Sequence, residues 1–116
     1  MDIELSQQDL AFEKEVQDFL SANAHTPDQD YMKWREEWFA KAAAKGGWDV
    51  PKWAPEFGGP GWTPTQHYIW EKETAEVGTP WDIPFGLSML APVLMAYGNK
   101  EQQDRFLPAL RARTVN

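Results

Sequence analysis

Thr63-Pro64-Thr65-Gln66-His67-Tyr68-Ile69-Trp70-Glu71-Lys72-Glu73-Thr74-Ala75-Glu76-Val77-Gly78 reads as one complete helix with both ends marked. Thr63 is a cap residue, Pro64 takes the first helical position where its missing N–H costs nothing, and Gln66 completes a capping box. Ile69, Trp70 and Val77 mark an inner face, and Gly78 stops the helix. The same grammar recurs on either side, and no segment alternates polar and apolar with period two. The expected fold class is all-α: an antiparallel helical bundle of about five helices with one long Gly/Pro/Trp-rich loop.

Toward the N-terminus, Gly47 to Trp62 holds Pro51, Pro55, Pro60 and repeated glycine, so it is an ordered loop that Trp48, Val50, Trp53 and Phe57 pack down. A helix from Tyr31 to Lys45 precedes it, with Trp34, Trp38 and Ala42 on one stripe, Phe39 at its edge, and Gly46 as a left-handed stop. The first helix opens with Ser6 and Asp9 as a capping box and Leu5 with Leu10 as a hydrophobic staple. Phe12, Val16, Phe19 and Leu20 face inward, and the helix frays near Asn23.

Toward the C-terminus, the spacing predicts a helix over 85–97 with no charge anywhere. Leu87, Leu90, Ala91 and Leu94 make one stripe, while Met89, Val93 and Ala96 leave much of the opposite side apolar. Such a helix is expected to be surrounded, by other helices or by an apolar ligand. Pro92 should kink or split it. Asn99 and Gln102 box the start of a fifth helix, with Phe106, Leu107 and Leu110 inward and Pro108 in its middle.

The chain has 116 residues and a formal net charge of −7, enough for a single domain. Nucleic acid is a poor partner for this charge, because binding phosphates requires clustered Lys and Arg. The acids crowd the N-terminal third; Arg105, Arg111 and Arg113 lie at the other end, and both read as solvated faces. There is no cysteine, so thiol catalysis, disulfides and Cys-type zinc sites are excluded, and a cytoplasmic location is expected. Met1-Asp2-Ile3-Glu4 has no apolar core of a signal peptide. The uncharged stretch from Ile83 to Asn99 is shorter than the ~20 apolar residues of a membrane span.

Four features are candidates for chemistry. Gly58-Gly59-Pro60-Gly61 precedes a helix start, yet lacks the GK[ST] ending of a phosphate loop and reads as a tight turn. His67 and Glu71 share a helical face but make only two ligands; His25 has no partners in sequence, and no metal is expected. Seven tryptophans read as core and loop anchors, since base stacking would lack electrostatic attraction here. Glu73 falls on the inward stripe of its helix. It is expected to be a buried structural carboxylate, capping free N–H groups of a neighbouring helix, rather than a general base.

Taken in order, these motifs resemble the N-terminal domain of acyl-CoA dehydrogenases. The resemblance runs through Gly47-Trp48, Pro51-Lys52-Trp53, Glu56-Phe57-Gly58-Gly59-Pro60-Gly61, Thr63-Pro64-Thr65-Gln66, Trp70-Glu71-Lys72-Glu73 and Gly78-Thr79-Pro80. It continues through Pro92-Val93-Leu94, Tyr97-Gly98-Asn99-Lys100-Glu101-Gln102-Gln103 and Arg105-Phe106-Leu107-Pro108. It implies that residues 1–116 form the N-terminal α domain, with the middle β domain and C-terminal α domain absent. It also implies an FAD-dependent oxidation of an acyl-CoA across its α,β carbons when the enzyme is full length, with an electron-transfer acceptor and a homo- or hetero-oligomeric assembly. No catalytic or cofactor-binding residue is carried onto this chain; FAD is not expected to bind it and the chain alone is expected to be inactive. The resemblance further implies that these helices help wall the acyl pocket, and Phe85, Met89 and Val93 are assigned to that lining.

Two other readings compete. A stand-alone helical interaction module, pairing with another subunit and carrying no redox activity, would also be acidic and helical. A di-metal bundle would need Glu-x-x-His pairs that the sequence lacks.

Overall fold

The computed structural model describes residues 4–80 and 90–112. Its helices are α1 (Gln7–Ala22), α2 (Tyr31–Ala44), α3 (Pro64–Val77), α4 (Ala91–Tyr97) and α5 (Lys100–Arg111), with a short 3-10 helix at Pro55–Phe57 and no strand among the described residues. The chain divides into two compact units, one from residues 1–39 and 62–80, the other from 40–61 and 81–116.

In the first unit, α1 and α3 begin with the expected boxes. Ser6 Oγ accepts the Asp9 N–H at 3.1 Å, and Thr63 Oγ accepts that of Gln66 at 3.2 Å. In return, Asp9 and Gln66 accept the cap N–H groups, so two orphan donors are satisfied at each helix start. Phe12 meets Trp62 edge-on and Phe19 lies against Trp70, so α1 and α3 run parallel. The first part of α2 runs against them: the Trp34 indole donates to the Asn23 carbonyl at 2.8 Å, and Trp38 meets Phe19 edge-on. That is the up-down-up order of an antiparallel succession. Val16 and Ile69 are fully buried at its centre, each contributing about 1.5–3 kcal/mol of hydrophobic stabilisation.

Two expectations fail here. Val77 is 59% exposed, because each residue turns the face by about 100° and α3 stops at Gly78 before a neighbour covers its last turn. Leu10 is exposed as well, so the staple with Leu5 buries little.

In the second unit, Gly46 at φ +104° ends α2 where a side chain would be strained. The loop then folds back on itself. A Cβ on Gly59 would collide with the Trp53 carbonyl, so only glycine lets the two backbone strands touch. Trp48, Val50 and Trp53 are buried as expected. Val50 and Trp53 form a core with Ala91, Leu107 and Leu110, flanked by Phe57, Leu90, Leu94 and Met95. Pro108 sits inside α5 without ending it.

Two expectations are corrected in this unit. Phe106 is exposed; Leu107 and Leu110, three apart, take the inward stripe one residue away from it. Pro92 lies in the first turn of α4, where a proline's missing N–H costs least, after Leu90 in helical conformation. Residues 81–89, the first part of the expected fourth helix, lie outside the described residues. Arg111 is no solvated end charge: its Nε and Nη2 donate to the two oxygens of buried Asp49 at 2.8 and 2.9 Å. That fork raises the Arg111 pKa above its ordinary value, mainly through the hydrogen bond to Asp49.

Candidate functional site

α4 has a single buried face. Ala91 is fully covered, and Leu90, Leu94 and Met95 pack on the core of the second unit. The other side carries Pro92, Val93, Ala96 and Tyr97, with Val93 53% and Tyr97 88% exposed. An exposed, charge-free helical face of this kind is a candidate contact or binding surface. Of the assigned acyl-lining residues, Val93 therefore lies on an open apolar face, while Phe85 and Met89 fall outside the described residues.

The position of α4 is fixed by a residue that sequence reasoning missed. Gln103 of α5 donates its side-chain amide to the carbonyls of Leu94 (3.0 Å), Met95 (3.3 Å) and Gly98 (3.2 Å). These carbonyls lie where α4 ends, and that of Leu94 also accepts the Gly98 N–H at 2.9 Å. A glutamine four residues beyond the Asn99 cap carries no signal of such a role.

Glu73 is buried, as expected, but its partners differ from the expectation. Its Oε1 accepts from the Gln17 amide of α1 at 3.2 Å and lies 3.8 Å from Lys72 Nζ. Gln17 sits well inside α1, where backbone N–H groups are already bonded, so Glu73 joins two side chains and caps no helix. Lys72 also reaches Glu13 at 3.4 Å, and that hydrogen bond raises the lysine pKa above its usual value. No nucleophile or histidine completes a catalytic set around Glu73 among these partners.

The remaining candidates are occupied by packing. The Gly58–Gly61 turn is filled by its own chain: Gly59 abuts the Trp53 carbonyl, and the Arg111 guanidinium stands over Gly58. Close backbone packing accounts for these glycines without a ligand. His67 meets Trp62 edge-on at 5.4 Å, and no group of three potential metal ligands occurs among the described residues. Of the tryptophans, Trp34, Trp38, Trp48, Trp53 and Trp70 are buried and Trp62 half-buried, which makes them anchors; Trp81 lies outside the described residues. Within those residues no helix is long and apolar enough to cross a membrane.

The family model described as "Acyl-CoA dehydrogenase, N-terminal domain" matches residues 6–114. The chain belongs to that family. Acyl-CoA dehydrogenase FadE26 of Mycobacterium tuberculosis is 39% identical over 67 residues, covering 57% of this chain and 16% of that protein. Acyl-CoA dehydrogenase IpdE1 of the same organism is 35% identical over 78 residues, covering 66% and 20%. A chain in the crystal structure of the ChsE4-ChsE5 complex, also from M. tuberculosis, superposes with a TM-score of 0.73 at 28% identity, over 100% of this chain and 30% of that one. The acyl-CoA dehydrogenase N-terminal domain thus accounts for the helices, while the chain spans about a fifth or less of its curated relatives' length.

Proposed function

We propose that residues 1–116 act as the N-terminal helical domain of an FAD-dependent acyl-CoA dehydrogenase, one that oxidises an acyl-CoA across its α,β carbons. The middle β domain and C-terminal α domain would lie on the same, longer polypeptide. The observation that carries this reading is the bare apolar face of α4 in a chain of this family. Phe85, Met89 and Val93 follow one another at helical spacing and line the acyl side of the pocket. Methionine suits an irregular or varied acyl chain, since its unbranched thioether adapts to many shapes. A bound flavin would supply the redox chemistry, while the protein supplies orientation and electrostatics. No step of the flavin reaction is assigned to this chain. Alone it is inactive. Assembly with a second acyl-CoA dehydrogenase-like chain, of the kind the ChsE4-ChsE5 complex represents, is part of the same reading, as are an electron-transfer acceptor and a cytoplasmic setting.

The test is Met89→Trp in the longer enzyme. A larger ring in the wall should lower kcat/KM for long or bulky acyl-CoA substrates by about tenfold relative to short ones, the size of one or two lost apolar contacts. An unchanged preference across acyl groups would remove Met89 from the pocket.

A further inference from the structure

The first unit contains a cleft of about 250 Å³ lined by none of the residues assigned to the acyl side. Its walls are aromatic: His25, Tyr31 and Trp34 stand together, with the His25 and Trp34 rings 4.8 Å apart and those of Tyr31 and Trp34 5.7 Å apart. Leu20 and Val77 also line it. They belong to the last turns of α1 and α3, so the parallel pairing brings two helix C-termini to the same place.

Each C-terminus leaves carbonyls without a backbone N–H, although at the end of α1 the Asn23 side-chain amide reaches the Phe19 carbonyl and the Asn23 carbonyl accepts the Trp34 indole. The cap N–H groups of Asn23 and Gly78 reach only Phe19 and Thr74, and no later backbone N–H among the described residues returns to the carbonyls of Leu20 or Val77. Helix C-termini carry about half a negative charge and are ordinarily offset by Lys, Arg or His⁺ in the last turn. Neither last turn has a basic residue. Residues 21–30 and 74–80 add Asp28, Asp30 and Glu76 but no lysine or arginine. The start of α2 at Tyr31 offsets one helix end, and Lys33 in its first turn is the nearest base in sequence. The balance remains negative. Asp28 is held ionised by the Thr26 hydroxyl, which donates to it at 2.6 Å and keeps its carboxyl below the usual range.

We propose that this cleft receives the guanidinium of an arginine presented by a partner polypeptide. Carbonyls at two helix ends offer several acceptors, and flat aromatic walls offer faces. A planar fork of five N–H donors serves both at once, where a compact, strongly hydrated ammonium serves only the charge. The volume takes a side-chain head with part of its stem, and a chain of net charge −7 draws basic partners toward it. The surface is distinct from the apolar face of α4, so failure of one reading leaves the other standing.

The experiment titrates the isotope-labelled 116-residue chain with the blocked tripeptide acetyl-Gly-Arg-Gly-amide and its citrulline and lysine counterparts, monitoring indole and backbone N–H signals. The arginine peptide should shift the Trp34 indole and the Gly78 and Thr79 amides saturably. Citrulline, of the same shape without charge, should bind at least about fivefold more weakly, the size of one helix-end interaction. Glu76→Lys, which supplies the missing base at the end of α3, should weaken the arginine peptide by a similar factor without lowering the melting temperature. His25→Ala should weaken it too, with Trp34 left in place to report. Equal binding of arginine and citrulline peptides, no saturable shift, or Glu76→Lys without effect would each overturn the proposal. If guanidinium chloride alone matches the peptide, the cleft is a site for a free ion and the polypeptide partner is wrong.

Discussion

Arg111 sets both prongs of its guanidinium against the buried carboxylate of Asp49, across 62 positions of sequence. Arg111→Ala should cost about 3 kcal/mol in chemical denaturation, because a largely desolvated carboxylate loses its fork; Arg111→Lys should cost less. The raised Arg111 pKa fixes the sign of any pH effect. The stabilisation is complete below the ordinary arginine value and disappears only as pH climbs through the raised one, so alkaline titration should leave it intact. Trp53 presents the opposite case: its buried indole N–H has no partner. Trp53→Phe should therefore lose packing volume without losing a hydrogen bond. Its measured cost in denaturation should fall below the roughly 3–5 kcal/mol typical of large aromatic truncations, since an unpaired donor is removed as well.

At the scale of elements, α4 spans seven described residues, Ala91–Tyr97, with no side-chain cap hydrogen bond at Leu90. Its end depends on Gln103, and Gln103→Ala should lower stability by about 1–2 kcal/mol and speed amide exchange in the last turn of α4. Helix starts were legible because Ser6, Thr63 and Asn99 announce themselves together with Asp9, Gln66 and Gln102, within four residues. What the sequence did not disclose was long-range. Arg111 read as a solvated end charge and Gln103 carried no signal of its role, since each meets its partner only after the loop or the turn has folded. Val77 and Phe106 failed for a related reason: periodicity tells which residues share a face but not where the covering neighbour stops. Glu73 was placed correctly in the interior, and its partner Gln17 was invisible at a separation of 56 residues.

Across the whole chain, the family is legible in the collinear motifs, and the bare side of α4 says where the rest of a binding site would have to lie. Val93→Asp together with Tyr97→Ser should leave the melting temperature within about 1 °C, because both side chains already face water and such exchanges stay within a few tenths of a kcal/mol. The same pair should reduce binding of an apolar dye to the isolated chain; an unchanged dye signal would mean that the face is not the adhesive one. The bare face also matters during synthesis. In relatives of which this chain matches only a fifth or less, a ribosome adding about 5–20 residues per second needs on the order of tens of seconds to complete the rest of the polypeptide. Throughout that interval a nascent helix displays an unshielded greasy stripe to the crowded surroundings. Under the proposed reading, a chaperone that shelters it, or rapid closure by the next segment to emerge, would raise the yield of folded enzyme.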